Sequence, residues 1–274
     1  MINQGLLLTL VFRILAKIPD IEKTTLHNIK IISLVPSQTE LLYDLGLEKS
    51  IIGITKFCVH PSHLKQTKTV VGGTKNIHLE KIKQLHPDII LCNKEENTKE
   101  IVEQCEQIAT THVSEIYTIQ DSIDLIKTYG ELFSCRTEAS KIIQKINFNL
   151  NDFRSFIIDK KVVKVAYFIW RNPWMVAANN TYINHILALN RLENIYKNKD
   201  RYPEVEIKKI RLEGDPDLVF LSSEPYPFKE EHASELGRCT PHAKTIFVDG
   251  ELFSWHGSRL VKAFDYFQQL RESL

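Results

Sequence analysis

His86-Pro87-Asp88-Ile89-Ile90-Leu91-Cys92-Asn93-Lys94-Glu95 and Asp215-Pro216-Asp217-Leu218-Val219-Phe220-Leu221-Ser222-Ser223-Glu224 are two versions of one phrase. Each opens on a polar residue followed by Pro-Asp, runs into an apolar stretch too short for a typical helix, and stops at polar residues ending in a carboxylate. An unbroken apolar run of that length reads as a strand buried on both faces of a parallel sheet. Its Glu then stands at the strand's carboxyl end. Two such strands set far apart in the chain predict two α/β lobes of similar build. Ligands are expected where the strand ends face each other across a cleft.

The segments around these strands alternate as βαβ units require. Ile31-Ile32-Ser33-Leu34-Val35 is a short core strand. At Pro36-Ser37-Gln38-Thr39-Glu40 the pattern turns helical, with Ser37 or Thr39 as the expected cap and with backbone N–H groups aimed beyond the strand end. Further strands are read at Ile51–Thr55, Val162–Ile169 and Thr245–Asp249, and helices at Leu79–Leu85, Thr98–Ile108, Asp121–Phe133, Tyr182–Leu189, Glu206–Leu212 and from Leu260 onward. From a cap at Thr137, apolar residues recur at helical spacing through Ile157 without Gly or Pro, which makes one long, stiff connector. The fold class is α/β, two Rossmann-like lobes with parallel sheets joined by a single long α-helix. The expected boundaries are 1–118, 119–160 for the connecting helices, and 161–274.

The chain has 274 residues, enough for one large domain or two medium ones. Thirty-five Lys and Arg nearly balance 34 Asp and Glu, so no general field recruits nucleic acid or an acidic membrane. The five cysteines are scattered without a Cys-x-x-Cys pair, which disfavours a disulfide framework or zinc ribbon. Gly5–Phe12 has the apolarity of a signal-peptide core but lacks a basic start and a cleavage site, and Arg13 and Lys17 follow at once; it is read as a first strand. No other stretch approaches a membrane span.

Every expected strand end carries aromatic or ionisable groups: Phe57, Cys58 and His60; Glu95 and Glu96; Trp170, Arg171 and Trp174; Glu224, Tyr226 and Phe228; Trp255, His256 and Arg259. Rigid aromatic faces with a few charges suit a large ring-bearing small molecule. Blander readings stand beside this one. Glu95 and Glu224 are equally placed to solvate strand ends, and Trp170 and Trp174 to pack beneath a loop. Arg259 lies near a helix start, where the dipole disfavours a cation, so an anion or carboxylate is expected against it. Cys58-x-His60, with His256 or a Glu, is chemically able to hold a metal, yet the spacing matches no zinc pattern, and a buried thiol beside a loop imidazole is the commoner case. There is no Gly-x-Ser-x-Gly, Gly-x-Gly-x-x-Gly or phosphate-loop motif, and the chain is not read as an enzyme.

Five stretches taken in order resemble one known family: Ile31–Glu40, Phe57-Cys58-Val59-His60-Pro61, Val71-Gly72-Gly73-Thr74-Lys75-Asn76, Asn93-Lys94-Glu95-Glu96-Asn97 and Trp255-His256-Gly257-Ser258-Arg259. The family is the substrate-binding components of ABC importers for cobalamin and iron-siderophores, the helical-backbone metal receptors, whose architecture is class III periplasmic-binding-protein-like. The resemblance implies a cobalamin-like corrinoid or ferric chelate held between lobes, with no cofactor required. It brings Pro36, Ser37, Gln38 and Lys75 into the candidate ligand set. It further implies an ABC permease as partner, docked through one surface carboxylate per lobe, by position Glu80 and Glu206. A monomer without nucleic-acid partners is expected. The alternative is a cytoplasmic metal-dependent enzyme using Cys58, His60 and His256. Family members outside the membrane carry a signal or a lipid-anchored cysteine, and no cysteine precedes Cys58 here. The chain as written is therefore expected in the cytoplasm, or in the periplasm if the start is misassigned.

Overall fold

A computed structural model describes residues 29–274, so the strand expected at Gly5–Phe12 lies outside the described residues. The chain divides into two compact units. The first is formed by the chain through Glu115, Gln120–Asn147 and His256–Val261; the second by Ile116–Ile119, Phe148–Trp255 and Lys262–Leu274. The segment His256–Val261, assigned with residues 161–274 by sequence order, clusters with the first unit.

In the first unit β1 (Ile31–Ser33), β2 (Ile51–Ile54), β3 (Thr69–Val70), β4 (Ile89–Asn93) and β5 (Thr110–Ser114) form one sheet in the order β3-β2-β1-β4-β5, every pairing parallel. Helices α1 (Pro36–Asp44), α2 (Leu64–Thr67), α3 (Leu79–Leu85) and α4 (Lys99–Glu106) connect them, with α5 (Ile119–Leu132) after β5. The core packs Ile32, Leu34, Ile90 and Cys92 against Val71, Ile82, Ile101 and Cys105. The strand order reverses between β1 and β4, the place where an open parallel sheet leaves a crevice at its carboxyl edge.

α6 (Arg136–Ile157) runs for 22 residues, and its second half belongs to the second unit. It starts one residue before Thr137, which therefore lies inside the first turn and is not its cap. β6 (Val163–Trp170), β7 (Met175–Val176), β8 (Leu192–Asn194), β9 (Leu218–Ser222) and β10 (Lys244–Val248) make the second sheet. Its order is β10-β9-β6-β7, with β8 also on β6, and only β7 is antiparallel. Helices α7 (Tyr182–Leu189), α8 (Ile210–Glu213), α9 (Glu230–Cys239), α10 (Gly250–Ser254) and α11 (Leu260–Ser273) complete the unit. A 3-10 turn at Ile207–Lys209 precedes α8. Here the order reverses between β6 and β9.

The repeated phrase forms the two equivalent strands β4 and β9, all ten residues buried. Its punctuation has the same job in both. His86 and Asp215 take left-handed φ values of 46° and 48°. The following Asp88 carboxylate accepts the Lys30 N–H at 2.7 Å, and Asp217 accepts the Lys164 N–H at 3.0 Å. Each aspartate thus pins the start of the neighbouring first strand, β1 or β6, and the buried run must follow in register.

Helix α1 begins differently from expectation. Val35 is its extended N-cap, Pro36 occupies the first turn, and neither Ser37 nor Thr39 caps it. Thr39 Oγ1 instead lies 2.8 Å from Ser33 Oγ and 3.0 Å from the Val35 carbonyl, with its one proton available to either, binding the helix back to its own strand.

Candidate functional site

At the carboxyl edge of the first sheet lies a buried polar layer beneath an exposed rim. In the layer, Gln38 Nε2 donates to Ser114 Oγ, and Gln38 Oε1 accepts from Tyr129 Oη at 2.7 Å. The Cys58 Sγ sits 3.1 Å from Thr39 Oγ1 and 3.3 Å from Thr55 Oγ1. Burial raises its thiol pKa, outweighing these hydroxyls. His256 Nε2 is 3.4 Å from Ser37 Oγ, and burial lowers the imidazole pKa to about 4, so it is neutral at physiological pH. Arg259, on the 3-10 turn Gly257–Arg259, pairs through Nε with Glu40 Oε2 at 2.7 Å and through Nη2 with Glu40 Oε1 at 3.2 Å.

Pro36, Ser37, Gln38, Cys58, His256 and Arg259 are all buried, and Ser37, Gln38, Cys58, His256 and Arg259 have side-chain partners within the unit. Arg259 does meet a carboxylate, but it is the chain's own Glu40. The metal-dependent alternative through Cys58, His60 and His256 also fails: the thiol and imidazole are interior groups with other neighbours, and no three His, Cys, Asp or Glu side chains among the described residues are grouped to hold an ion.

The rim keeps the other candidates. Phe57 is 49% exposed, with Lys56 Nζ 5.0 Å from its ring centre. A Cβ at Gly73 would lie 3.2 Å from that ring, so the glycine lets Phe57 lie over the turn. Lys75 Nζ donates to the Glu95 carbonyl at 2.6 Å. Burial raises the Glu96 pKa above the ordinary carboxylate range, while the Lys75 charge and Thr74 hydroxyl pull it back. His60 is half-buried beside them in sequence.

At the carboxyl ends of β6 and β9, where the second sheet's order reverses, aromatic rings converge. Trp170, 39% exposed, meets Tyr226 edge-on at 5.4 Å, and Tyr226 meets Phe228 at 4.9 Å. Phe228 lies parallel to Trp174 at 5.9 Å. His232 stands edge-on to all three of Trp174, Tyr226 and Phe228. Its Nδ1 accepts the Lys229 N–H at 2.8 Å, which fixes the ring. Arg171 covers Trp174 with its guanidinium at 5.3 Å and is held by Glu235 Oε2 through Nε at 3.1 Å and Nη2 at 2.7 Å. Glu224 Oε1 accepts from Trp255 Nε1 and Ser254 Oγ, both at 2.8 Å. Trp255 is buried, so its indole props the carboxylate and offers little surface of its own.

Sequence reasoning missed His232 and Glu235 because it missed α9. Pro227 followed by Glu230 and Glu231, with Ala233 and Leu236 at helical spacing, was the available signal. Three cis X-Pro bonds, at His60-Pro61, Asn172-Pro173 and Glu224-Pro225, occur in these loops. Glu80 and Glu206 are far more open than any of these groups, 78% and 70% exposed, and each pairs with the lysine three residues on, Lys83 and Lys209.

Two α/β units, each with aromatic and charged side chains at its sheet's reversal point, define a bilobal binding-protein architecture. A family model for periplasmic binding proteins matches residues 31–240, and the chain belongs to that family. An uncharacterized ABC transporter substrate-binding lipoprotein of Bacillus subtilis is 24% identical over 259 residues, 89% of this chain and 79% of its own. The vitamin B12-binding protein of Vibrio cholerae is 23% identical over 195 residues, 70% of each chain. The crystal structure of that species' periplasmic vitamin B12-binding protein superposes with a TM-score of 0.76 at 18% identity, covering 89% of this chain and 98% of the other. A periplasmic haem-binding protein from Pseudomonas aeruginosa also gives a TM-score of 0.76 at 18% identity, covering 88% and 91%. No helix among the described residues is long and apolar enough to cross a membrane.

Proposed function

We propose that this chain is the substrate-binding component of an ABC importer, a monomeric carrier for a metal chelate of the cobalamin, haem or ferric-siderophore kind. The observation that carries the reading is the aromatic face at the reversal point of the second sheet. Trp170 and Tyr226 offer ring surface, Arg171 and Glu224 are held rigidly at its margin, and His232 locks the rings from behind. Pre-set apolar surface with a few fixed polar groups favours a large planar or ring-bearing ligand. Phe57, His60, Lys75, Glu95 and Glu96 on the first unit are a second candidate contact set. The B12-binding and haem-binding relatives support this ligand class.

Titration of the purified chain with cyanocobalamin, haemin and ferric siderophores, followed by absorbance and calorimetry, tests the proposal. One of them should bind at micromolar concentration or better. Trp170→Ala with Tyr226→Ala should weaken it at least about tenfold, near 1.4 kcal/mol. Failure of all three ligands at that concentration, with the chain folded, would falsify it.

Glu80 and Glu206 are the proposed permease contacts. Exposed i,i+3 pairs hold little energy, so both carboxylates can leave their lysines for positive pockets on a partner. Unchanged permease affinity in the Glu80→Ala, Glu206→Ala double variant removes this part of the reading. In this role the chain would work in the periplasm or at the outer face of the cell membrane, a reading that the periplasmic and lipoprotein relatives support; cell fractionation distinguishes that from the cytoplasmic expectation.

A further inference from the structure

At the amino-terminal edge of the second sheet, away from the aromatic face, two arginines have no counter-charge among the described residues. Arg271, in the last turn of α11, is 5% exposed. Its Nη2 donates to the Lys161 carbonyl at 2.8 Å, just before β6. Arg191 precedes β8 in a left-handed conformation, φ 53°, and its carbonyl accepts the Val163 N–H at 3.2 Å. Val163 opens β6 and pairs with Leu192 at the start of β8, so both arginines are tied to the start of β6. Burial first, and then the nearby charge of Arg191, lower the Arg271 pKa from its ordinary value. Arg271 Nε, Arg271 Nη1 and Arg191 Nε are buried and have no hydrogen-bond partner among the described residues.

A buried guanidinium beside a second, half-buried one, with three buried and unanswered N–H donors between them, is unfavourable unless an anion answers them. Guanidinium forks match oxyanions in both charge and geometry. We propose that Arg191 and Arg271 form a binding site for a small inorganic oxyanion of the phosphate or sulfate type, which stabilises the second unit. The site is independent of whatever ligand the carboxyl edges carry.

The test uses the full chain in buffer free of phosphate and sulfate, titrated with sodium phosphate, sodium sulfate or sodium chloride at constant ionic strength. Calorimetry should show one saturable oxyanion site. The melting temperature should rise with the logarithm of phosphate concentration above its dissociation constant, and chloride should not reproduce the rise. Arg271→Met should abolish the response. Arg191→Asn, which tolerates the left-handed backbone, should weaken binding at least about tenfold, and it carries the test should Arg271→Met not fold. A wild-type chain whose melting temperature is the same in all three salts overturns the proposal, as does an undiminished phosphate response in Arg191→Asn; either outcome means that water alone fills the space.

Discussion

Glu40 and Arg259 show how a charged pair can look functional in sequence and be architectural in space. Their side chains are 6% and 8% exposed, and they join α1 to a turn 219 residues later. Removing one partner leaves the other charge buried, so Glu40→Gln or Arg259→Met should destabilise the chain by about 3–5 kcal/mol in urea denaturation. The double change Glu40→Met, Arg259→Met should recover most of that loss. Equal loss in the double variant means the pair matters through packing instead. The sequence placed Arg259 correctly against a carboxylate, because a cation at a helix start needs one. It could not say which carboxylate, since no local pattern encodes a contact over that separation. Cys58 and His256 meet the same limit: a loop position is legible, but the depth of a side chain beneath that loop depends on what packs over it.

Two buried histidines make the same unit sensitive to acid. Burial lowers both His112 and His256 to pKa values of about 4 from an ordinary 6.5. Their contribution is complete above pH 6.5, where folded and unfolded chains are both neutral at these rings. As pH falls towards 4 the unfolded chain takes up protons that the folded chain refuses, and stability declines. The loss at pH 4 is roughly 3 kcal/mol per histidine. Glu96, with its raised pKa, acts in the opposite sense because protonation relieves its desolvation. Unfolding free energies measured from pH 7 to pH 4.5 should fall less steeply in a folded His256→Gln variant; an unchanged slope excludes this imidazole as a source.

Among the described glycines, Gly250, the first residue of α10, has the closest neighbour to an added Cβ. A Cβ on Gly250 would lie 2.4 Å from Ser222 Oγ, 2.7 Å from Glu224 Cγ and 3.0 Å from the Glu224 backbone nitrogen. Gly250→Ala must therefore displace the end of β9, separating Glu224 from Trp255. The expected loss is about 1–3 kcal/mol, with weaker ligand binding at the aromatic face. Gly237, in the last turn of α9, has nothing within 4 Å of its added Cβ. Gly237→Ala should gain up to about 1 kcal/mol from helix propensity, and thermal melts of the two variants should move in opposite directions. Legibility differed among elements for related reasons. β4 and β9 were plain because every residue is apolar or buried by its neighbours. β5, Thr110–Ser114, was missed because it is an edge strand with Val113 42% exposed and its polar residues turned inward. α9 was missed because its short buried stripe rests on His232 and Leu236.

For the whole molecule, the sequence repeat announced two α/β units and their strand-end groups, and the family match agrees with that plan. What it could not announce is the route of the chain, which passes between units at Glu115–Ile116, Ile119–Gln120, Asn147–Phe148, Trp255–His256 and Val261–Lys262. The last excursion supplies Arg259 to Glu40. A chain cut before His256 would lack the Arg259 guanidinium beside Glu40 and would leave the first unit unfinished, so such a truncated form should be digested by protease faster than the 274-residue chain.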